Sequence, residues 1–438
     1  MAPKRFVVAA FVAAALALLG GAQTSKGSSS GASAASSDVV IDWNKTMVDG
    51  LLATATAPQP GTRVAAIVQT AVFDAVNGIT GRYTQYRPDA IGATAPPGAS
   101  VEAAAIGAAY TTLVALMPSQ LDRFNAERDA TLAMNNGQSV DRGYAWGVTV
   151  GNAILALRAT DGFTTPQGAY TVLSLPHWQP APPAFAGPVQ RQFAHMSPWA
   201  MTSSDQFDPG PPPALSSPQY LGDFNEVKSL GSSVSTTRTA DQTQSAQFWQ
   251  GKFDTVVTLW NRVAESFANR PDRSVTENAR LFALMDIAMA DSVIAVWNAK
   301  NEYNTWRPIT AIRNAGVYGD VGVADPNWSP FMPTPAHQEY PSGHSGNSGA
   351  AAAVLASFFG SNASFDVSSD GVPGVPSTVR SYPSFSAALD DISIARIAAG
   401  FHFRFACETA VHIGQQTAAQ AMTTQMLPLQ GKGHGGGH

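Results

Sequence analysis

Along most of the chain, apolar residues return every three or four positions, the period of an amphipathic helix. "TRVAAIVQTAVFDAVNGI" sets Val64, Ile67, Val68, Ala71, Val72 and Val76 on one stripe. "SVEAAAIGAAYTTLVALM" predicts an Ala-rich helix closed by Pro118, and "DRGYAWGVTVGNAILALRATDGF" a third that ends near Asp161–Gly162. The pattern fails between residues 164 and 217, where "PAPPAFAGP" and "DPGPPPALSSP" are proline-rich. Trp178, Phe185, Phe193 and Trp199 are scattered through that stretch. Aromatics in a long loop predict a segment that packs across the protein rather than a linker between domains. Helices resume with "RTADQTQSAQFWQGKFDTVVTLWNRVAESFA".

The second half is patterned more sharply. "SVTE" (Ser274 to Glu277) has the form of a capping box and opens a long helix through Leu281, Leu284, Met285, Val293 and Trp297 to Lys300. Pro308 follows and predicts its stop. Lys300 and Arg307 are seven residues apart, so a continuous helix would carry both on one side. "EYPSGHSGNSGAAAAVLASFFG" turns at Pro341 and enters a helix that ends at Gly360. "DDISIARIAAGFHFRFACETAVHIGQQTAAQAM" reads as a helix, a break around Gly400 and another helix. No strand series and no internal repeat is visible. The expected class is all-α: a large helical bundle with a Pro-rich irregular segment in its middle.

Composition narrows the partners. The 438 residues are only 13% charged, with a net charge of −5. That balance argues against a general nucleic-acid or anionic-membrane surface, so any anion site must be local. The single cysteine, Cys407, excludes an internal disulfide framework and a thiolate metal cluster, and reads as a small core residue. Lys4 and Arg5 precede an uncharged apolar run from Phe6 to Leu19 and then "GGAQTS". This predicts a secretory signal over 1–22, a Ser/Gly/Ala-rich linker over 23–37, and a secreted or periplasmic protein with no membrane attachment after cleavage. One helical catalytic domain is expected over 38–430, with its oxyanion-site half at about 274–426. A disordered Gly/His tail, with His434 and His438, is expected over 431–438.

Two stretches carry candidate chemistry. In Pro341-Ser342-Gly343-His344, Ser342 can cap the helix and Gly343 lets the backbone approach closely. The first-turn amides then form an anion cradle with His344 at its lip, placed to give or take a proton. The plainer reading is an ordinary capped helix with a surface histidine. Arg396 lies among Ile392, Ile394, Ile397 and Ala399, with His402 beyond the Gly400 break. A bend there can turn both toward one point. A guanidinium in so apolar a setting needs partners, and Asp390 or Asp391 would be the ordinary one.

Taken in order, Lys300-x6-Arg307-Pro308, Pro341-Ser342-Gly343-His344 and Arg396-x5-His402 resemble the three-part signature of the vanadium-dependent haloperoxidase and type-2 phosphatidic acid phosphatase superfamily. The words "WNAKNEYNTWRPITAIR", "EYPSGHS" and "AGFHFRF" are similar to its haloperoxidase side. The resemblance implies a bundle of the haloperoxidase/acid phosphatase type and vanadate as cofactor. Lys300, Arg307, Ser342, Gly343 and Arg396 would hold the oxyanion, and His402 would be the axial vanadium ligand. His344 would serve as acid–base group, and Lys300 would polarise the peroxide. Hydrogen peroxide, a halide and an organic acceptor would be the reactants. Trp297 would wall the halide side, and His337 leans the halide choice toward bromide or iodide.

Two positions depart from the pattern. Ala395 stands where many members have Ser, and Ala406 where many, phosphatases especially, have the Asp that orients the histidine. Glu408 is nearby but wrongly spaced to replace it. The same pocket suits phosphate, so a soluble acid phosphatase with His402 as nucleophile and no metal cofactor is the alternative. A non-catalytic oxyanion-binding protein is the third reading.

Overall fold

The computed structural model describes residues 38–134, 137–251, 253–317, 321–370 and 377–429. The expected signal and linker, and the Gly/His tail, lie outside the described residues. In chain order the helices are α1 (Val39–Ala53), α2 (Pro58–Thr80), α3 (Pro88–Ile91), α4 (Val101–Leu116), α5 (Leu121–Ala133), α6 (Gln138–Arg158), α7 (Pro218–Leu230), α8 (Ala240–Gln250), α9 (Val256–Ala268) and α10 (Val275–Tyr303). They continue as α11 (Pro308–Asn314), α12 (Gly343–Phe359), α13 (Phe385–Ala398) and α14 (Arg404–Thr424). The class is all-α, as the periodicity predicts. One feature was not foreseen: β1 (Phe365–Ser369) and β2 (Thr378–Tyr382) pair antiparallel, with Phe365 opposite Tyr382.

Helix α10 is the axis of the bundle. Ser274 Oγ accepts from the Glu277 amide at 3.3 Å, and Glu277 Oε2 accepts from the Ser274 amide at 2.8 Å. Caps of this kind contribute about 1 kcal/mol. The helix packs against α2, α12 and α14 and is buried on nearly every side, which its run of Leu281, Phe282, Leu284, Met285, Ile287 and Met289 allows. Each such side chain contributes roughly 1.5–3 kcal/mol on burial. The Ala- and Gly-rich α12 exists to lie close to α14. A Cβ at Gly414 would fall 2.1 Å from the Gly346 carbonyl oxygen.

The Pro-rich segment does pack across the protein. Asp291 of α10, fully buried, accepts from the amides of Trp199, Ala200 and Met201 at 2.7, 2.8 and 2.9 Å. Trp178, Phe193 and Trp199 are buried; Phe185 is 63% exposed and does not contribute. The segment also meets the end of α10, where the Trp178 amide donates to the Asn304 carbonyl at 2.8 Å.

The end of α10 corrects one expectation. Lys300 and Arg307 do not share a continuous helix. Asn304 takes a left-handed conformation (φ 44°) and its amide closes on the Lys300 carbonyl at 3.0 Å. Asn is among the few non-glycine residues that enter this region at low cost. The chain turns, and Arg307 becomes the residue before α11, with Pro308 in the first helical position. The helix thus fixes Lys300, and a turn, not helical periodicity, aims Arg307.

Candidate active site: a buried cationic cage

Three segments deliver cations to one place. Lys300, Arg307 and Arg396 are each at most 1% exposed. Lys300 Nζ donates to the carbonyls of Gln338 and Glu339 at 2.6 and 3.0 Å. An ammonium has three donors, so one remains. Arg307 Nε donates to the His337 carbonyl at 2.7 Å, and Nη1 to the Phe401 carbonyl at 2.9 Å. Its remaining donors reach His402 Nε2 at 3.2 Å and the His337 ring at 3.0 Å.

Arg396 differs from the ordinary salt-bridge reading. Asp391 is taken by Arg380, Ser245, Trp249 and Tyr382. Arg396 instead donates to Gln250 Oε1 at 3.2–3.3 Å, lies over the Phe401 ring, and has a buried Nε with no partner among the described residues.

The Gly400 break is real. Its φ is +82°, and a Cβ there would meet the Gly231 carbonyl oxygen at 2.7 Å. It turns the chain after α13 so that His402 faces the end of α10. His402 is 2% exposed. Its Nδ1 lies 3.0 Å from Glu339 Oε1, which also accepts from the Phe403 amide at 3.0 Å. This carboxylate supplies the orienting partner that Ala406 lacks; Glu408 lies instead 4.0 Å from Arg404. A carboxylate at Nδ1 holds the proton there and leaves the Nε2 lone pair toward the cations. Glu339 sits in the "EYPSGHS" word, but no sequence rule ties it to a histidine 63 residues away.

Ser342 caps α12 by accepting from the Ser345 amide at 3.4 Å, as its position predicts. The amides of Gly343 and His344, in the first turn, have no intrahelical acceptor. His344 is half-buried and lines a cavity with Arg396 and His402. The helix is capped as the plainer reading has it, and its partly exposed histidine also faces that cavity. The His337 ring packs against Trp297 at a tilt of 42°, centroids 5.2 Å apart, and Lys300 Nζ lies 5.7 Å from the Trp297 ring centroid. Cys407 is a buried free thiol, as expected. Gln250, which nothing in the sequence marked, joins the site from the end of α8.

Together Gln250, Trp297, His337, Gly343, His344, Arg396 and His402 line a cavity of about 230 Å³. Lys300, Arg307 and Ser342 are buried beneath that lining. Every titratable group here is pushed toward neutrality. Burial, then the Arg307 charge, takes Lys300 well below the usual lysine range. Burial lowers Arg307 to about 9 and Arg396 to about 10. Burial also raises Glu339 to about 8, and takes His337, His344 and His402 well below the usual imidazole range. Three basic side chains face one carboxyl group, and burying an unpaired charge costs several kcal/mol, which is what drives these shifts. An oxyanion between them removes that cost. A tetrahedral oxyanion such as vanadate fits this donor set: neutral Nε2 on one side, guanidinium and ammonium donors around it, and an unpartnered Arg396 Nε.

Fold and site define a predominantly helical bundle protein with a buried cationic cage. Residues 280–431 match the family model of the VCPO second helical-bundle domain. The vanadium chloroperoxidase of Curvularia inaequalis is 27% identical over 193 residues, which cover 38% of this chain and 30% of that protein. The chain thus spans under a third of that curated relative. The crystal structure of a bacterial vanadium-dependent iodoperoxidase superposes with a TM-score of 0.75 at 26% identity, covering 90% of this chain and 98% of the other. A bacterial vanadium-dependent chloroperoxidase shares the fold, with a TM-score of 0.63 at 18% identity over 82% of this chain and 90% of that one. These likenesses support a place in the vanadium haloperoxidase/type-2 phosphatidic acid phosphatase superfamily.

Proposed function

We propose that this protein is a vanadate-dependent haloperoxidase that oxidises halide with hydrogen peroxide to hypohalous acid. The observation that carries the reading is the cage: Lys300, Arg307 and Arg396, fully buried, around a neutral His402 whose Nε2 is free of its orienting carboxylate. His402 would ligate the vanadium. Lys300, Arg307, Arg396, Ser342 and the Gly343 amide would hold the oxygens. Bound vanadate supplies a Lewis-acidic V(V) centre that activates peroxide toward halide.

The chain's own residues do the rest. The guanidinium groups give forked contacts, and Lys300 acts as a point charge on the oxygen it faces. His344, kept neutral by burial at the lip of the cavity, accepts the proton of the incoming peroxide. The fixed charges need no rearrangement as negative charge builds, which is the main catalytic contribution of such a cage. Trp297 and His337 form the wall beside it, and the likeness to a bacterial iodoperoxidase supports iodide or bromide as the halide. The basic start and apolar run at the amino terminus support export from the cytoplasm.

One observation favours a second reading. With Glu339 on His402, the histidine is oriented as a phosphohistidine nucleophile would need to be. His344 would then protonate the leaving group of a phosphomonoester. The two readings separate in one experiment. The purified chain is loaded with orthovanadate and assayed for peroxide-dependent iodide, bromide and chloride oxidation; the vanadate-free chain is assayed for phosphomonoester hydrolysis. Vanadate-dependent halide oxidation is expected. Phosphomonoester turnover without any vanadate-dependent halide oxidation selects the phosphatase.

A further inference from the structure

A second cavity of about 190 Å³ lies behind the cage and takes no part in the chemistry above. Its walls are Tyr220, Tyr303, Trp306, Phe403 and Phe405, and Glu339 also lines it. Phe403 and Phe405 stack at 5.3 Å, and Tyr220 meets both at 5.1 and 5.9 Å. The backbone is extended at Arg307 and at Phe403, so neighbouring side chains leave on opposite sides. Arg307 and His402 enter the cage, while Trp306 and Phe403 enter this cleft. The two cavities share a wall, and Glu339 belongs to it.

The polar groups of the cleft are incompletely used. Glu339 Oε1 serves His402 and the Phe403 amide, but Oε2 is buried with no partner among the described residues. Tyr220 is 2% exposed; its oxygen accepts from Trp306 Nε1 at 2.9 Å, and its own O–H has no acceptor among the described residues. A buried carboxyl oxygen without a partner is costly. A donor–acceptor group among aromatic walls would satisfy both residues. A cavity of about 150 Å³ accepts a benzene ring, so this one holds a single ring with a small substituent.

We infer that the cleft formed by Tyr220, Trp306, Phe403, Phe405 and Glu339 is a binding site for a small monocyclic phenol, its ring between the aromatic walls and its hydroxyl between Glu339 Oε2 and Tyr220 Oη. The site adjoins the cage through Glu339, which serves His402 with its other oxygen, and does not depend on which anion the cage holds. A site built around a hydrogen-bonding pair rejects the analogue that lacks the hydroxyl.

The test uses the full chain without vanadate. Calorimetric titration with phenol is expected to show one saturable site, with toluene binding at least five-fold more weakly. Ala214 lines the cleft from an exposed loop. Ala214→Phe, and separately Leu215→Trp, should each lower phenol affinity at least ten-fold while the melting temperature holds. Crystals soaked in 4-bromophenol should place the bromine anomalous peak in the cleft. Toluene binding as tightly as phenol, phenol affinity untouched by both variants, or a bromine peak only at the cage mouth overturns the proposal.

Discussion

Glu339 Oε1 lies 3.0 Å from Nδ1 of His402, although 63 positions separate the two residues. The contact fixes which imidazole nitrogen faces the cations. Removing such a partner typically costs ten- to a hundred-fold in the affinity of the ligated group. Glu339→Ala is expected to weaken vanadate binding by about that range, and Glu339→Gln, which keeps an acceptor, by less. Vanadate titration followed by tryptophan fluorescence measures both; an unchanged affinity in Glu339→Ala removes the residue from this role.

Gln250 holds Arg396 through one amide oxygen at 3.2–3.3 Å. An incoming anion must share or displace that contact. Gln250→Glu sets a competing carboxylate on the guanidinium and should weaken phosphate or vanadate binding at least ten-fold. Gln250→Ala should leave it equal or tighter. Competition calorimetry with inorganic phosphate reads the order, and three equal affinities contradict it.

His344 is read as the proton acceptor rather than an anion anchor. His344→Ala should therefore lose at least a hundred-fold in turnover and change vanadate affinity by only a few-fold. Parallel loss of both would make it a binding residue. A variant with full turnover would leave this helix end an ordinary capped helix with a surface histidine.

The cage also predicts a stability trade. At a hundred-fold excess over its dissociation constant, a bound anion stabilises the fold by about 2.7 kcal/mol. Arg396 is buried without a carboxylate partner, so Arg396→Met should raise the melting temperature of the anion-free protein and abolish the rise produced by vanadate. Replacing buried charges by apolar groups is often stabilising by about 1–4 kcal/mol. A lower melting temperature in the anion-free variant would show that Arg396 is already compensated.

Away from the site, Asp286 of α10 is fully buried; its Oδ1 accepts from Asn261 at 3.0 Å, and burial raises its pKa to about 7 from 3.8. A raised folded-state value means that stability is greatest below the unfolded value and declines as pH rises toward 7. This group alone accounts for a loss on the order of 2 kcal/mol between pH 5 and 7. Asp286→Asn should flatten that part of the profile and be relatively more stable at pH 8. Calorimetric melts across pH 5–8 decide it; an equal slope in both proteins excludes Asp286 as the source.

What was legible in the sequence follows from range. Helical stripes, the Ser274–Glu277 box, the Gly400 break and the Ser342 cap each depend on residues within about four positions, where backbone geometry alone decides the contact. The five-residue strands β1 and β2 were not legible. So short an alternation is weak until a partner strand and the packed rings of Phe365 and Tyr382 support it.

The sequence alone determined that the chain is helical and that Lys300, Arg307, Ser342, Gly343, His344, Arg396 and His402 stand in an ordered pattern suited to an oxyanion. Tertiary structure decided the rest. It ended α10 at Asn304, so that a turn aims Arg307. It gave Asp391 to Arg380, leaving Arg396 for the cage, and it chose Glu339 over Glu408 as partner to His402. These outcomes depend on which distant segments are packed together. Short-range periodicity carries no term for the charge or hydrogen bond that a segment dozens of residues away will bring.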